Sequence, residues 1–385
     1  MAKYAMSLPI LALVALVGSG AAPVSPQLVA LIHVPEGGIQ PQILDRDGVV
    51  HLLYFIGDPA GGDLIYVRSR DYGRSFSKPI RVNSQPGSAM ATGNIRGGQI
   101  ALGANGRVHV AWIGSGSAQP RGASNSAPVL YTRLNDSGTA FEPQRGVSQS
   151  SWGADGGTLA ADSANVYVFW HAEPPGGTGE DTRRLWMARS TDGGRSFAGE
   201  TPVNDQATGV CGCCGSRALA TPDGALYVLF RSASQIVHRD IWLLSSGDRG
   251  ASFHGSDISQ WNVGACVMSS AALVSTPEGV LAGWESEKQV YFGRVRPGKN
   301  GVQAPIGAPG TGNNRKYPAL AVNKRGETLF VWTEDMAWKK AGSAAWQVYD
   351  RDMKPEGPAG RADGVPMWSL VAAYSRPDGG FAVVY

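Results

Sequence analysis

Two apolar stretches separated by a short polar turn recur seven times along the sequence. The copies run from Pro41 to Phe55 around Asp47-Gly48, Gly98 to Trp112 around Asn105-Gly106, Thr158 to Trp170, and Ala218 to Phe230 around Asp223-Gly224. Three more span Ala271 to Trp284 around Glu278-Gly279, Pro318 to Trp332 around Arg325-Gly326, and Leu370 to Tyr385 around Asp378-Gly379. Each copy predicts two antiparallel strands, because Asp-Gly, Asn-Gly and their relatives supply the positive φ of a tight hairpin turn. Leu64–Arg68, Leu185–Arg189 and Ile241–Leu244 add a third strand to their copies. Helix-period segments are absent beyond the first residues of the chain.

A second repeat sits between these strands. Asp71-x-Gly73-x-x-Phe76, Asp192-x-Gly194-x-x-Phe197 and Asp248-x-Gly250-x-x-Phe253 share one core, and Asp136-x-Gly138-x-x-Phe141 is a worn copy. The aspartates lie 65, 56 and 56 residues apart, too far for one hairpin and suited to a four-stranded propeller blade. Asp accepts hydrogen bonds from turn amides, Gly takes positive φ, and Phe is expected to plug the hairpin into the blade core. These residues read as turn staples and not as catalysts. The expected fold is an all-β propeller of four-stranded blades, seven by the count of starts, with six as the alternative if one irregular copy is no blade. The last copy stops after its second strand, so a strand within Gln27–His33 is expected to complete that blade.

Composition narrows the class. Gly 52 and Pro 24 among 385 residues, with only 17% charged, fit a chain rich in turns, and 43% hydrophobic residues exclude wholesale disorder. Thirty-four basic against 31 acidic residues, without clustering, leave no footprint for nucleic acid. Lys3, the apolar stretch Met6–Val17 and the small residues Gly18–Ala22 have the layout of an export signal. Residues 1–21 are expected to be cleaved, leaving 22–385 as one secreted or periplasmic propeller domain, a monomer without a membrane span.

The aspartate repeat and strand pattern together resemble the sialidase-like BNR/Asp-box propellers, notably secreted bacterial sialidase-family proteins. That resemblance implies an arginine triad clamping a substrate carboxylate, an acid Asp and a Tyr–Glu nucleophile pair. The family's first arginine stands two residues before a proline, where this chain has Ile39 in Gly38-Ile39-Gln40-Pro41. Arg96, Arg231, Arg239 and Arg315 are the candidate ligand-binding arginines, Asp58 and Asp63 the candidate acids, and Tyr317 and Tyr374 the candidate nucleophiles. Trp112, Trp170, Trp284 and Trp332 read as blade packing, whereas Trp152, Trp261, Trp338 and Trp368 in loops suit stacking on sugars. The histidines are given no role.

Cys211, Cys213 and Cys214 open the fourth blade, and Cys266 with Met268 opens the fifth. Cys-x-Cys-Cys with a downstream Cys also resembles secreted members of this group. One reading is an interblade disulfide from Cys266 to Cys211, Cys213 or Cys214. The other is a soft-metal site for Cu or Zn made by the thiolates and Met268. The function expected is therefore binding at the central mouth of a glycan, an extracellular protein or a soft metal; the alternative is an exo-α-sialidase or other glycoside hydrolase.

Overall fold

The computed structural model describes Met1, residues 28–296 and residues 301–385. The expected export signal, beyond Met1, lies outside the described residues, as does Gln27. Among the described residues no helix is long and apolar enough to cross a membrane.

Seven sheets form the ring, which decides the blade count against six. Blade 1 comprises Ile39–Arg46, Val49–Ile56, Asp63–Ser69 and Ile80–Arg81, paired in sequence order as an antiparallel meander. Blades 2 to 6 repeat this order, with innermost strands Gln99–Leu102, Trp152–Ala161, Arg217–Ala220, Ala272–Thr276 and Lys316–Val322. Among the described residues blade 7 has three strands, Val29–Ile32, Phe381–Val384 and Ala372–Ser375 from outermost to innermost. The expected closing strand is thus present, but it runs parallel to Phe381–Val384. Its direction follows from the route of the chain: each innermost strand is entered from the mouth. Val29–Ile32 must therefore run towards the mouth, as Phe381–Val384 does, to deliver Ile39 there.

The strands are apolar on both faces because each blade is covered by two neighbours. Seven apolar clusters fill the seven seams; Leu53, Phe55 and Tyr66 of blade 1, for example, meet Val110, Trp112 and Leu130 of blade 2. Trp112, Trp170, Trp284 and Trp332 are fully buried in such seams.

The aspartate turns join the third and fourth strands. In the first, Asp71 accepts from the Ser75 amide at 2.9 Å and from the hydroxyls of Ser75 and Ser69 at 2.6 and 2.7 Å. Asp192 and Asp248 repeat this with Ser196 and Ser252. Gly73, Gly194 and Gly250 all have φ near 80°, and a Cβ on Gly194 would run into the Tyr131 hydroxyl. One expectation needs correction. In the worn copy Asn135 takes the acceptor position, bonding the Thr139 amide at 3.0 Å, while Asp136 faces solvent and pairs with Arg107. Phe141, Phe197 and Phe253 enter the seams that their own blades form with the preceding ones, where they pack on Tyr66, Tyr131 and Phe169 of the latter. Asp350 forms a further turn of this kind, accepting from the Lys354 amide at 2.9 Å, on a sequence without the Gly and Phe of the repeat.

Candidate functional site

An axial cavity of about 840 Å³ is lined by the innermost strands, including Leu44, Leu102, Leu159, Leu219 and Leu320. Towards the mouth its wall changes from leucine to polar groups. Arg217, at the first position of its strand, donates to Gln42 at 2.8 Å and Gln99 at 2.7 Å. One guanidinium thereby ties blade 4 to blades 1 and 2. Burial pushes it down to about 10, since no carboxylate is among its partners. Nothing in the repeat pattern marks this arginine, which only the ring's curvature brings opposite Gln42.

Ile39 joins the apolar seam between blades 1 and 2. Gln40 beside it, with φ 55°, donates to the carbonyls of Ala91 at 2.6 Å and Trp368 at 2.8 Å and accepts from the Gly97 amide at 3.0 Å. Where an arginine clamp is expected, a glutamine fixes the entry loops of two neighbouring blades.

The four candidate arginines all reach the mouth end, and every one is neutralised within the chain. Arg96 grips Asp155 through two nitrogens at 2.6 and 2.8 Å. Arg231 pairs with Glu285 at 2.9 Å, Arg239 with Glu180 at 2.6 Å and Arg315 with Glu334 at 3.1 Å. Burial pushes the carboxyls of Asp155 and Glu285 up, opposed by their arginines. Tyr317 is buried, which raises its phenol, and it lines the cavity. Tyr374 lies elsewhere: its hydroxyl donates to the Tyr72 carbonyl at the first aspartate turn. Asp58 caps a turn at the Ala60 amide, and Asp63 holds Asn83 and the Gly87 amide.

One side of the mouth carries two tryptophans. Trp338, on the hairpin between Thr328–Glu334 and Gly342–Tyr349, is 42% exposed and lies against Gly93 of the loop entering blade 2. Trp368 is tilted beside it, with ring centroids 5.9 Å apart.

The other side carries the cysteines. Cys213 and Cys266 form a disulfide between the entry loops of blades 4 and 5, the pairing of Cys266 with one of the three. Cys211 and Cys214 are free and buried. The Cys211 sulfur lies 3.4 Å from those of both Cys213 and Cys214. The Sγ atoms of Cys211, Cys213 and Cys214 all fall within 4.8 Å of one another, close enough to hold a metal ion. Met268 contributes its backbone, with φ 48° and a carbonyl accepting from Lys316 at 3.4 Å. The hydrogen bond to Cys214 and burial push the Cys211 thiol up. Burial opposes ionisation of Cys214 too, but the bond from Cys211 and the Arg231 charge outweigh it and hold that thiol down at about 7. His171 contacts the Cys214 carbonyl at 3.1 Å, a role the scattered histidines did not reveal in sequence.

No family model and no curated protein matches the chain. Solved structures do. A protein of unknown function from Dyadobacter fermentans is 13% identical over 86% of this chain and 95% of its own, with TM-score 0.53. The Fusarium graminearum α-L-arabinofuranosidase is 12% identical over 84% and 97%, with TM-score 0.54. The Trypanosoma rangeli sialidase in complex with the inhibitor DANA is 12% identical over 78% of this chain, with TM-score 0.51, and the match spans 53% of the sialidase. At these identities the likeness is one of fold alone, and the fold is a seven-bladed propeller.

Proposed function

We propose that the protein is an exported sialidase-like Asp-box propeller, one domain over 22–385, that binds a carbohydrate at its mouth without hydrolysing sialosides. The observation that carries this reading is the internal pairing of Arg96, Arg231, Arg239 and Arg315. A guanidinium whose charge is already met by a carboxylate binds a substrate carboxylate less strongly. Nε of Arg231 and Nε and Nη1 of Arg239 make no hydrogen bond, yet turning these groups towards a substrate would leave Glu285 and Glu180 unpaired. The nucleophile pair is also unsupported, because Glu285 is committed to Arg231 while burial raises the Tyr317 phenol. The exposed ring of Trp338 beside Trp368 suits the apolar face of a sugar.

The test pairs fluorogenic sialosides and arabinofuranosides with calorimetric titration of oligosaccharides. No turnover is expected, with binding weakened at least tenfold by Trp338→Ala. Robust turnover lost in Arg315→Lys would establish the hydrolase instead.

The convergence of sulfur atoms favours a second ligand, a soft metal ion. With the disulfide reduced, thiolates of Cys211, Cys213, Cys214 and Cys266 would hold Cu(I) or Zn. Metal analysis of protein purified with and without reductant tests it.

A further inference from the structure

The four sulfur atoms form two layers. The outer is the Cys213–Cys266 disulfide, joining a half-buried residue to an exposed one. The inner is the dithiol of Cys211 and Cys214, buried with Ala233 and Val267. Cys211 touches both layers, at 3.4 Å from the Cys213 sulfur and 3.4 Å from the Cys214 sulfur. A disulfide that merely staples two loops needs two cysteines. Here a second pair lies in contact with it, spaced Cys-x-x-Cys, a separation that itself closes readily into a ring.

The backbone holds the inner layer and leaves the outer one loose. Cys211 donates its amide to the Arg231 carbonyl at 2.9 Å, Gly212 to Glu180 at 2.6 Å and Gly215 to the Ser269 carbonyl at 2.8 Å. Gly264, Ala265 and Cys266, by contrast, are exposed and outside any strand. Thiol–disulfide exchange requires an attacking sulfur in contact and a leaving sulfur with room to depart. Cys211 meets the first requirement and Cys266 the second.

We propose that the cluster is a two-electron thiol–disulfide relay that exchanges with an external dithiol or disulfide. First, Cys211 passes its proton to the Cys214 sulfur, to which it is hydrogen-bonded, and attacks the Cys213 sulfur. The Cys211–Cys213 bond forms, the Cys213–Cys266 bond breaks, and Cys266 leaves and takes up a proton. Cys214 then loses its proton and attacks the Cys211 sulfur; the Cys211–Cys214 bond forms, and Cys213 leaves and is protonated. No electron has entered or left, and the disulfide has moved from the outer pair to the inner. The outer dithiol then attacks an external disulfide, which accepts two electrons and departs as a dithiol while Cys213–Cys266 re-forms. The reverse sequence oxidises an external dithiol. This activity rests on the sulfur geometry alone and is independent of carbohydrate binding.

The test uses the full chain, purified without reductant and treated with chelator. It is incubated with iodoacetamide in the absence of any reductant, and its peptides are mapped by mass. The expected product carries the alkyl group on Cys266 and a disulfide at Cys211–Cys213 or Cys211–Cys214. Cys211→Ser, which keeps Cys213 and Cys266, is expected to slow this trapping at least tenfold. Should that variant not fold, Cys214→Ser is expected to trap Cys211–Cys213 alone. Alkylation of Cys211 and Cys214 beneath an intact Cys213–Cys266 bond, or no alkylation, overturns the relay. So does tightly bound metal with four reduced thiols in protein purified before the chelator. As a second arm, fully reduced protein titrated with oxidised dithiothreitol is expected to lose four electrons in two steps. Loss of only two, with Cys211 and Cys214 still free, also overturns it.

Discussion

Phe197 of the third blade stands edge-on against Tyr131 of the second, with ring centroids 4.7 Å apart, and the Tyr131 hydroxyl is bonded to His109 at 2.6 Å. The aspartate turn that carries Phe197 therefore clamps a seam between blades. Phe197→Ala is expected to cost about 1–3 kcal/mol, from lost area and the lost ring pair, with mouth binding unchanged. Chemical denaturation beside ligand titration checks this; selective loss of binding would show that the turn serves the ligand.

His109 gives the seam an acid sensitivity. Burial first, and then Arg107 and Arg133, hold its imidazole down at about 3. In the unfolded chain it takes a proton near pH 6.5, so the unfolded state binds more protons between about 6.5 and about 3. Its contribution is intact above pH 6.5 and is lost as the pH falls towards 3. Thermal midpoints of His109→Gln should therefore decline less than wild type between pH 6.5 and 4. Parallel curves would refute the assignment.

Arg231 and Glu285 form a pair with side-chain exposures of 2% and 0%. Arg231→Met strands a buried carboxylate and is expected to cost about 3–5 kcal/mol, whereas adding Glu285→Leu should recover most of that loss. Urea titrations of the two variants decide it. A stable single variant that had lost glycoside turnover would instead place Arg231 in a substrate clamp.

The Cys213–Cys266 bond closes a separation of 53 residues. Breaking it with a phosphine reductant should lower unfolding free energy by about 2–4 kcal/mol, read from denaturant midpoints with and without reductant. An unchanged midpoint would mean that the blade seam holds these loops without the bond.

The blades were legible because a strand covered on both sides must be apolar throughout, and such runs alternate with Gly-bearing turns. Seven starts and a closing strand within Gln27–His33 follow from that pattern. Contacts made across the ring were not legible. Asp136 satisfies the spacing of the repeat in a turn of the same length, closed from Glu142 to Arg133 as Ser77 closes on Arg68, yet Asn135 becomes the acceptor. Arg217 resembles any strand residue until the curvature of the ring sets it opposite Gln42 and Gln99. Cysteine pairing was open for a related reason: the loops at the mouth have no ladder to fix their register. The neutralising partners of the arginines likewise come from distant parts of the sequence, as Arg96 and Asp155 show.

The parallel pairing of Val29–Ile32 with Phe381–Val384 has a consequence for biosynthesis. As the chain is made, each new blade can dock on the one before it, but the first blade keeps one apolar face bare throughout. Val50, Leu52 and Tyr54 find their cover only when Tyr374, Ala382 and Val384 have been added. Until then a nearly finished arc has an open seam at both edges, the state most exposed to aggregation and proteolysis. Substitutions in this one seam should therefore reduce yield more than their equilibrium cost predicts, because they prolong the life of the unclosed arc.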